Sequence, residues 1–178
     1  MKTLLAVLSF GALAFASGAD TPKVPRAKIV NMETLISTQL ASMYPEEPYF
    51  VIGAARGMYL DGVGVVFSVE INLAMGPSQN PFSAAISKEA IARHRARKEE
   101  RLPALKTKMF SVVTNMSNYF ETLPANEEFI LSVTLLRYPW EETAGQPSQI
   151  IMRVPRVKLV DAQRASAKSD KFIRVQEY

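Results

Sequence analysis

Alternating apolar and polar residues in the first half of the chain predict a β-hairpin. Residues 49–60 and 63–73 are rich in β-branched and aromatic side chains, and Asp61-Gly62 lies between them. This dipeptide favours a two-residue turn because both positions require a positive φ angle. The second strand should be buried on one side only, since its apolar residues share a face: Val63, Val65, Phe67, Val69, Ile71 and Leu73.

The two-residue turn also predicts the register of this hairpin, with residue 60 opposite 63 and residue 56 opposite 67. Four apolar side chains of the first strand then face inwards: Ile52, Ala54, Met58 and Leu60. Arg56 falls on the same face, where an unpaired charge is costly. Either a β-bulge at Gly53 or Gly57 re-aims the strand, which we favour, or Arg56 contacts an anion at an open end of the sheet.

Shorter patterns complete the predicted fold. Apolar positions at helical spacing between Asn31 and Pro45 predict an amphipathic helix. A second hairpin should pair residues 129–136 with residues 149–154, across an acidic loop that carries the only tryptophan, Trp140. A helix over residues 155–165 and a strand over 172–177 follow. The expected fold class is α+β, an antiparallel sheet built from two hairpins and packed on one face by helices.

A long helical pattern from Ser87 to Leu123 connects the two hairpins. Its second half has apolar residues at alternating spacings of three and four: Leu102, Leu105, Met109, Val112, Met116, Tyr119 and Leu123. Both a core helix across the sheet and a coiled-coil seam have this spacing. Further apolar neighbours widen the stripe beyond a narrow seam, which favours the core. A seam would instead form an oligomer through Leu105, Met109, Val112 and Met116.

Pro103 divides this helical pattern into an apolar half and a basic half. Proline disfavours helical geometry at the residue before it, so the helix should kink or split there. Continued backwards, the heptad falls on Lys98 and Arg95, and the first half cannot bury the same apolar face. We therefore predict a long, kinked central helix whose basic half projects beyond the sheet or folds back across it.

Charge is concentrated in the basic half. Residues 88–108 include eight basic and three acidic side chains, an excess of five positive charges. Ion pairs at helical spacing offset part of this charge and leave His94, Lys98 and Arg101 as unmatched neighbours. Such residues are typical of a solvated helix surface, and they also suit contact with an acidic protein or an envelope polyanion. Nucleic acid is disfavoured because no aromatic residues interleave with the charges.

The amino terminus indicates where the protein works. One lysine, an apolar run and then small residues predict a secretory signal that ends at residue 16 or 19, with an uncleaved anchor as the alternative. We expect a signal peptide over residues 1–19, an extended leader over 20–30 and a single α+β domain over 31–178. No other run has membrane-spanning length, so we predict an exported protein, periplasmic or extracellular.

The residue types present disfavour several chemistries. There is no cysteine, and the single histidine, His94, leaves metal binding and acid–base catalysis to carboxylates. Adjacent glutamates at 46–47, 99–100, 127–128 and 141–142 point apart on a helix or strand, and we interpret them as surface pairs. No cofactor or metal is expected. An enzyme therefore ranks below a binding protein.

The segment Met58-Tyr-Leu-Asp-Gly-Val-Gly-Val-Val-Phe67 resembles a stretch found in exported bacterial proteins without an assigned function. The resemblance covers one hairpin and brings no catalytic residues with it. We predict a non-enzymatic interaction protein of the bacterial envelope, whose contact residues are Arg93, His94, Arg97, Lys98, Arg101, Arg56 and Trp140. The alternatives are an envelope polyanion binder that uses the basic helix and, third, a hydrolase whose carboxylates are brought together by the fold.

Overall fold

A computed structural model describes residues 23–46, 50–77, 85–165 and 169–178, and within them the chain forms helices around a five-stranded sheet. In chain order the elements are α1 (Arg26–Ala41), β1 (Val51–Leu60), β2 (Gly64–Ile71), α2 (Lys88–Met116), β3 (Glu128–Leu135), β4 (Gln149–Pro155), α3 (Arg156–Arg164), a short 3-10 helix (Ser169–Phe172) and β5 (Arg174–Glu177). The predicted α+β fold class is confirmed. None of the described helices is long and apolar enough to cross a membrane.

The sheet contains both predicted hairpins, and one parallel pairing joins them. The strand order is β1-β2-β3-β4-β5. β1 pairs antiparallel with β2, β3 pairs antiparallel with β4, and β5 adds antiparallel to β4. β2 and β3, however, run parallel. The connection through α2 returns the chain to the starting end of β2 before β3 begins, so the sheet is mixed instead of wholly antiparallel.

The helices pack on one face of the sheet and form a single core with it. Ile36 of α1, Met109 of α2 and Leu159 of α3 belong to the same buried cluster as Phe67 of β2. The residues considered as an oligomer seam are at most 1% exposed: Leu105, Met109, Val112 and Met116. Their burial supports the core interpretation and makes this stripe inaccessible to a partner.

α2 runs from Lys88 to Met116 without a break at Pro103, so the expected split of the helix is wrong. A kink at this proline stays a prediction. Ser87 caps the first turn, where its hydroxyl accepts a backbone N–H at 3.2 Å. Beyond Met116 the chain leaves the helix, but Phe120 and Leu123 continue the buried stripe from the turns that follow.

The turn between β1 and β2 holds three residues, one more than predicted. Leu60 pairs with Gly64, and Gly57 pairs with Phe67. Gly62 and Gly64 have positive φ angles of 74° and 130°, a conformation that glycine allows at low cost. Because a shift of one residue exchanges the two faces of a strand, the predicted inward set is wrong, and its members are exposed: Ile52, Ala54, Met58 and Leu60.

The same shift decides the position of Arg56. This residue pairs with Ser68 instead of Phe67, and it is exposed on the face of the sheet away from the helices. The register also changes between Ile52 and Arg56, around Gly53 with φ 73°, one of the two predicted bulge positions, but the longer turn and not this change places Arg56 on the outer face. Arg56 therefore lies outside the core and needs no buried partner for its charge. An anion contact through its side chain stays a prediction.

α1 begins at Arg26, five residues before the predicted start at Asn31. Ile29 continues the buried face of this helix by one turn, and Val24 just before the helix is 2% exposed. Residues 26–30 are therefore helical, and the extended leader predicted there can reach no further than Pro25. The signal peptide predicted for residues 1–19 lies outside the described residues.

Side chains of α1 also pair with the outer edge of β1. Arg26 donates to the Gly57 carbonyl oxygen at 2.8 Å, and Glu33 accepts the Gly57 N–H at 2.8 Å. The Ser37 hydroxyl accepts the Ala55 N–H at 2.9 Å. The close approach requires glycine at position 57, where an added Cβ would stand 2.8 Å from a side-chain carbon of α1. Several backbone groups of this edge strand are thus paired within the molecule.

Met109 and Met58 provide a matched test of the core. Met109→Ala removes a side chain that is 0% exposed and should lower the free energy of unfolding by about 2–5 kcal/mol, because a cavity remains. Met58→Ala, at a position 52% exposed, should lower it by about 1 kcal/mol or less. Urea unfolding of both variants in dilute solution measures the difference. Equal losses would contradict the burial of the α2 stripe.

Candidate functional site

The basic half of α2 lies against one end of the sheet. β2 and β3 are parallel, so the chain leaves both strands at the same end, as segments 72–77 and 136–148. Lys98 Nζ donates to the Leu136 carbonyl oxygen at 2.7 Å, and Arg101 donates to the Leu73 carbonyl oxygen at 2.9 Å. The basic half therefore extends past the ends of β2 and β3, and the segments that follow these strands hold it there. Ligands commonly bind outside the carboxyl ends of parallel strands, which makes this end the first place to seek a site.

A buried carboxylate, Glu141, joins these elements. Its Oε2 accepts a hydrogen bond from Lys98 Nζ at 2.5 Å, and its Oε1 lies 3.1 Å from His94 Nε2. Oε1 also accepts the backbone N–H of Tyr138 at 3.0 Å. The side chains of Glu141, Lys98 and His94 are 3, 7 and 4% exposed. We call His94, Lys98, Tyr138, Trp140 and Glu141 the sheet-end cluster.

Electrostatics in the sheet-end cluster favour the ionised form of Glu141. Burial raises the pKa of this carboxyl group, but several contacts act in the opposite direction and outweigh it. These are the hydrogen bonds from Lys98 and the Tyr138 N–H, the positive charge of Lys98, and the hydrogen bond with His94. The pKa of Glu141 therefore lies below its ordinary value of 4.5. A buried charge of this kind is tolerated only while its partners remain in place.

His94 is held between two hydrogen-bond acceptors. Its Nε2 lies 3.1 Å from Glu141 Oε1, and its Nδ1 lies 3.2 Å from the Met75 carbonyl oxygen. A neutral imidazole carries one N–H and can donate to one of these acceptors, whereas the doubly protonated ring donates to both. Both nitrogens are therefore occupied inside the molecule, and the ring ties segment 72–77 to the loop that contains Glu141.

Aromatic rings close the cluster on the side of Trp140. The Trp140 and Tyr138 rings are stacked, with centroids 5.1 Å apart and planes at 7°, and His94 meets Trp140 edge-on at 4.9 Å. The Asn72 amide nitrogen donates to the Tyr138 hydroxyl at 2.9 Å. Gly76 runs so close to the rings that an added Cβ would stand 3.2 Å from Trp140 Cζ2. The predicted contact residue Trp140 is thus half-buried and packs within the molecule.

Three of the predicted contact residues have structural partners. His94 and Lys98 were expected to be unmatched on a solvated surface, but Glu141 pairs with both of them. Arg101 was expected to be unmatched as well, and it donates to a β2-end carbonyl and lies 4.4 Å from the Tyr44 ring centroid. The interpretation of Glu141 as a surface residue is also wrong. The sequence did contain a signal for the burial of Lys98, because this residue lies seven positions, or about two helical turns, before the buried Leu105.

Arg93 and Arg97 are the predicted contact residues of α2 that remain exposed. They line an open cleft of about 420 Å³ together with Met75, Pro77, Ala90, His94, Ala96 and Glu100. Hydrogen bonds lower the pKa of Glu89, and the positive charge of the nearby Arg93 lowers it further. Arg97 makes no ion pair with any residue in the described ranges. The cleft therefore presents positive charge to solvent.

A second polar cluster lies at the opposite end of β2 and β3. The Tyr59 hydroxyl is 3.0 Å from both Asp61 Oδ1 and Glu127 Oε1, and Glu127 also accepts the Gly62 N–H at 3.1 Å. Burial, together with these two carboxylates, raises the pKa of Tyr59. Glu127 is 1% exposed, so its interpretation as a surface residue is wrong, and its Oε2 has no hydrogen-bond partner among the described residues.

No family model matches the chain, and neither a curated protein nor a solved structure shows significant similarity to it. Across the ranges that the structure describes, no group of three His, Cys, Asp or Glu side chains could hold a metal ion. Inferences about function therefore depend on the geometry of the cleft and of the sheet-end cluster.

Lys98 and Arg97 are adjacent in sequence, and substitutions at these two positions distinguish a residue that supports the fold from one that lies on the surface. Lys98→Met would leave Glu141 buried without its main counter-charge and should lower the free energy of unfolding by about 3–5 kcal/mol. Arg97→Met, at an exposed position, should change it by about 0.5 kcal/mol or less. Chemical denaturation of the two variants provides the measurement. A Lys98 variant as stable as the Arg97 variant would show that the cluster does not support the fold.

Glu141 should also make the protein sensitive to acid. Because its pKa is lowered in the folded state, its contribution to stability is complete above the ordinary value of 4.5 and is lost as the pH falls through the folded-state value. The free energy of unfolding should therefore fall as the pH drops below about 4.5 and through the lower folded-state pKa of Glu141. Glu141→Gln should flatten this dependence, whereas Glu142→Gln, at a side chain 67% exposed, should leave it unchanged. Identical pH profiles for the two variants would refute the assignment.

Proposed function

We propose that this chain is a non-enzymatic interaction protein, exported to the bacterial envelope or beyond, that binds an acidic segment of a partner protein along α2. The observation that carries the proposal is the cleft in which Arg93 and Arg97 stand one helical turn apart, with Arg97 lacking an ion pair among the described residues. The apolar side chains of Met75 and Pro77 border the same cleft. Charged and apolar contacts are therefore available side by side.

The spacing of the two arginines suits carboxylates on a regular backbone. Residues four apart on a helix have Cβ atoms about 5–6 Å apart. Acidic side chains at alternate positions of an extended segment are about 6.6 Å apart, and those at i and i+4 of a helix match the arginines directly. Each guanidinium group can donate two parallel hydrogen bonds to one carboxylate. An acidic peptide could thus engage both arginines at once.

The sheet-end cluster supports this role by fixing the helix that presents the arginines. His94 and Lys98 lie on the buried side of the same two turns of α2, and Glu141 holds both of them. A surface held in this way loses little conformational freedom on binding, which favours affinity. Lys98 and Arg101 make contacts inside the molecule, so they do not add to the charged surface formed by Arg93 and Arg97. A short pair of arginines suits a few carboxylates better than it suits the long polyanion considered as the alternative.

The arrangement of the acidic residues favours binding over catalysis. The cleft contains one carboxylate, Glu100, and a smaller crevice beneath the loop 136–148 contains one, Glu99. Asp61 and Glu127 converge on the Tyr59 hydroxyl, but Glu127 is buried and closed to a substrate. A hydrolase that works through a pair of carboxylates would need both of them to face the same reacting group in an open site, and the described residues do not provide such a pair. The predicted secretory signal supports export.

Reversal of the two arginine charges should weaken binding. We expect the double variant Arg93→Glu/Arg97→Glu to bind a fluorescently labelled oligoglutamate peptide at least about tenfold more weakly, because attraction becomes repulsion at both positions. The wild-type affinity should also fall as salt is added, since exposed charges are screened. Fluorescence anisotropy titrations at low and physiological ionic strength measure both effects.

A matched control changes the same number of charges elsewhere. Lys158→Glu/Arg164→Glu alters two exposed positions of α3 and should leave peptide affinity within about twofold of wild type. Equal weakening by both double variants would show that net charge, and not the cleft, attracts the peptide. Tighter binding of inorganic polyphosphate than of oligoglutamate would favour the polyanion alternative. Pull-down from envelope extract, repeated at high salt, would then identify the native partner.

A further inference from the structure

The face of the sheet opposite the helices carries apolar side chains. Residues paired across the strands share a face, so Met58, Val66 and Ile130 form one row, while Arg56, Ser68, Ser132 and Ile151 form the next. We call the apolar members of this surface the open-face patch: Ile52, Met58, Leu60, Val66, Ile130 and Ile151. Ile52, Met58 and Leu60 are 37, 52 and 44% exposed. Contiguous apolar surface of this kind commonly marks an interface.

Two opposite charges accompany the patch. Arg56 and Glu70 lie on the open face in adjacent strands. Arg56 pairs with Ser68 and Glu70 pairs with Ile52, so the two charged residues are diagonal neighbours on this face. Neither makes an ion pair with another residue in the part of the chain that the structure describes. By contrast, Arg153 and Glu128 on the same face do form an ion pair. Arg174, which pairs with Arg153 across β4 and β5, is also exposed on this face. The open face thus carries unmatched charge of both signs beside its apolar patch.

We propose that the open face is the interface of a homodimer, in which Arg56 of each copy pairs with Glu70 of the other. A two-fold interface uses the same surface on both subunits, so that surface must complement itself. A face that carries an apolar patch and both charges meets this condition. An acidic or a basic partner would leave one of the two charges unmatched, which favours a second copy of this chain over a heterologous partner.

The whole face, and not the apolar patch alone, has to take part in an interface of this kind. Five strands about 4.8 Å apart and some six residues long cover roughly 20 by 20 Å in projection, and side-chain relief increases the accessible area. A small specific interface buries about 600–800 Å² on each partner. Two sheets packed in this way lie about 10 Å apart, as in a β-sandwich. The apolar stripe of α2 cannot provide the interface, because it is buried in the core.

Charge exchange provides the decisive test. Sedimentation velocity of the purified protein should show a concentration-dependent dimer. Arg56→Glu and Glu70→Arg should each weaken dimerisation by at least about tenfold, because each creates two like-charge contacts across the two-fold axis. The double variant Arg56→Glu/Glu70→Arg should restore the dissociation constant to within about threefold of wild type. Restoration is specific to a direct contact between these two positions.

Met58→Glu supplies a second variant that should fold, since this side chain is 52% exposed, and it should abolish the dimer. The control Val30→Glu introduces the same charge at a site 42% exposed on α1 and should leave the dimer intact. Far-UV circular dichroism confirms that each variant is folded. A wild-type protein that remains monomeric at high concentration would overturn the proposal, as would a dimer that Met58→Glu does not disturb. Peptide binding at the cleft is measured separately and does not depend on this result.

Discussion

The burial of one carboxylate organises one end of this molecule. Glu141 lies in a loop that leaves β3, and a charge withdrawn from water must be matched by cations that approach closely. Lys98 meets this requirement from α2, and His94 adds a hydrogen-bond contact to Glu141 and carries the connection onward to the Met75 carbonyl oxygen. The helix, the loop and the segment after β2 are thereby fixed relative to one another. The exposed arginines of α2 depend on that arrangement for their position.

The elements with strong local periodicity could be predicted from the sequence, and the contacts between distant segments could not. The apolar stripe of α2 and the alternation of β2 depend on residues close together in the chain, which is why their buried faces were predicted correctly within the two elements. Val63 and Tyr119, which fall in the turns just outside β2 and α2, are 43 and 42% exposed, so their predicted burial is wrong. Glu141 and Lys98 are 43 residues apart. Nothing in the acidic loop distinguishes Glu141 from its exposed neighbour Glu142 until the loop is placed against α2. The basic half was therefore interpreted as a solvated surface, although Lys98 falls at a heptad position.

The register of the first hairpin shows how a small ambiguity alters a large surface. Glycines at both positions 62 and 64 can take positive φ, so the sequence is compatible with a turn of two residues or of three. Choosing the shorter turn reverses every side chain of β1. Arg56 then appears as an anomaly in the core, whereas the longer turn places it beside Ser68 on the open face. The parallel pairing of β2 with β3 also depends on where α2 returns the chain.

The pairing of α1 side chains with the edge of β1 has a consequence for self-association through strands. A sheet that extends from molecule to molecule requires a free edge on both sides of each copy. Arg26, Glu33 and Ser37 occupy backbone groups on one side, which leaves β5 as the side available to another strand. Backbone groups of Ala55 and Gly57 are thus not available to a strand of another molecule. The amino-terminal helix shields the middle of an edge strand that would otherwise be open to pairing.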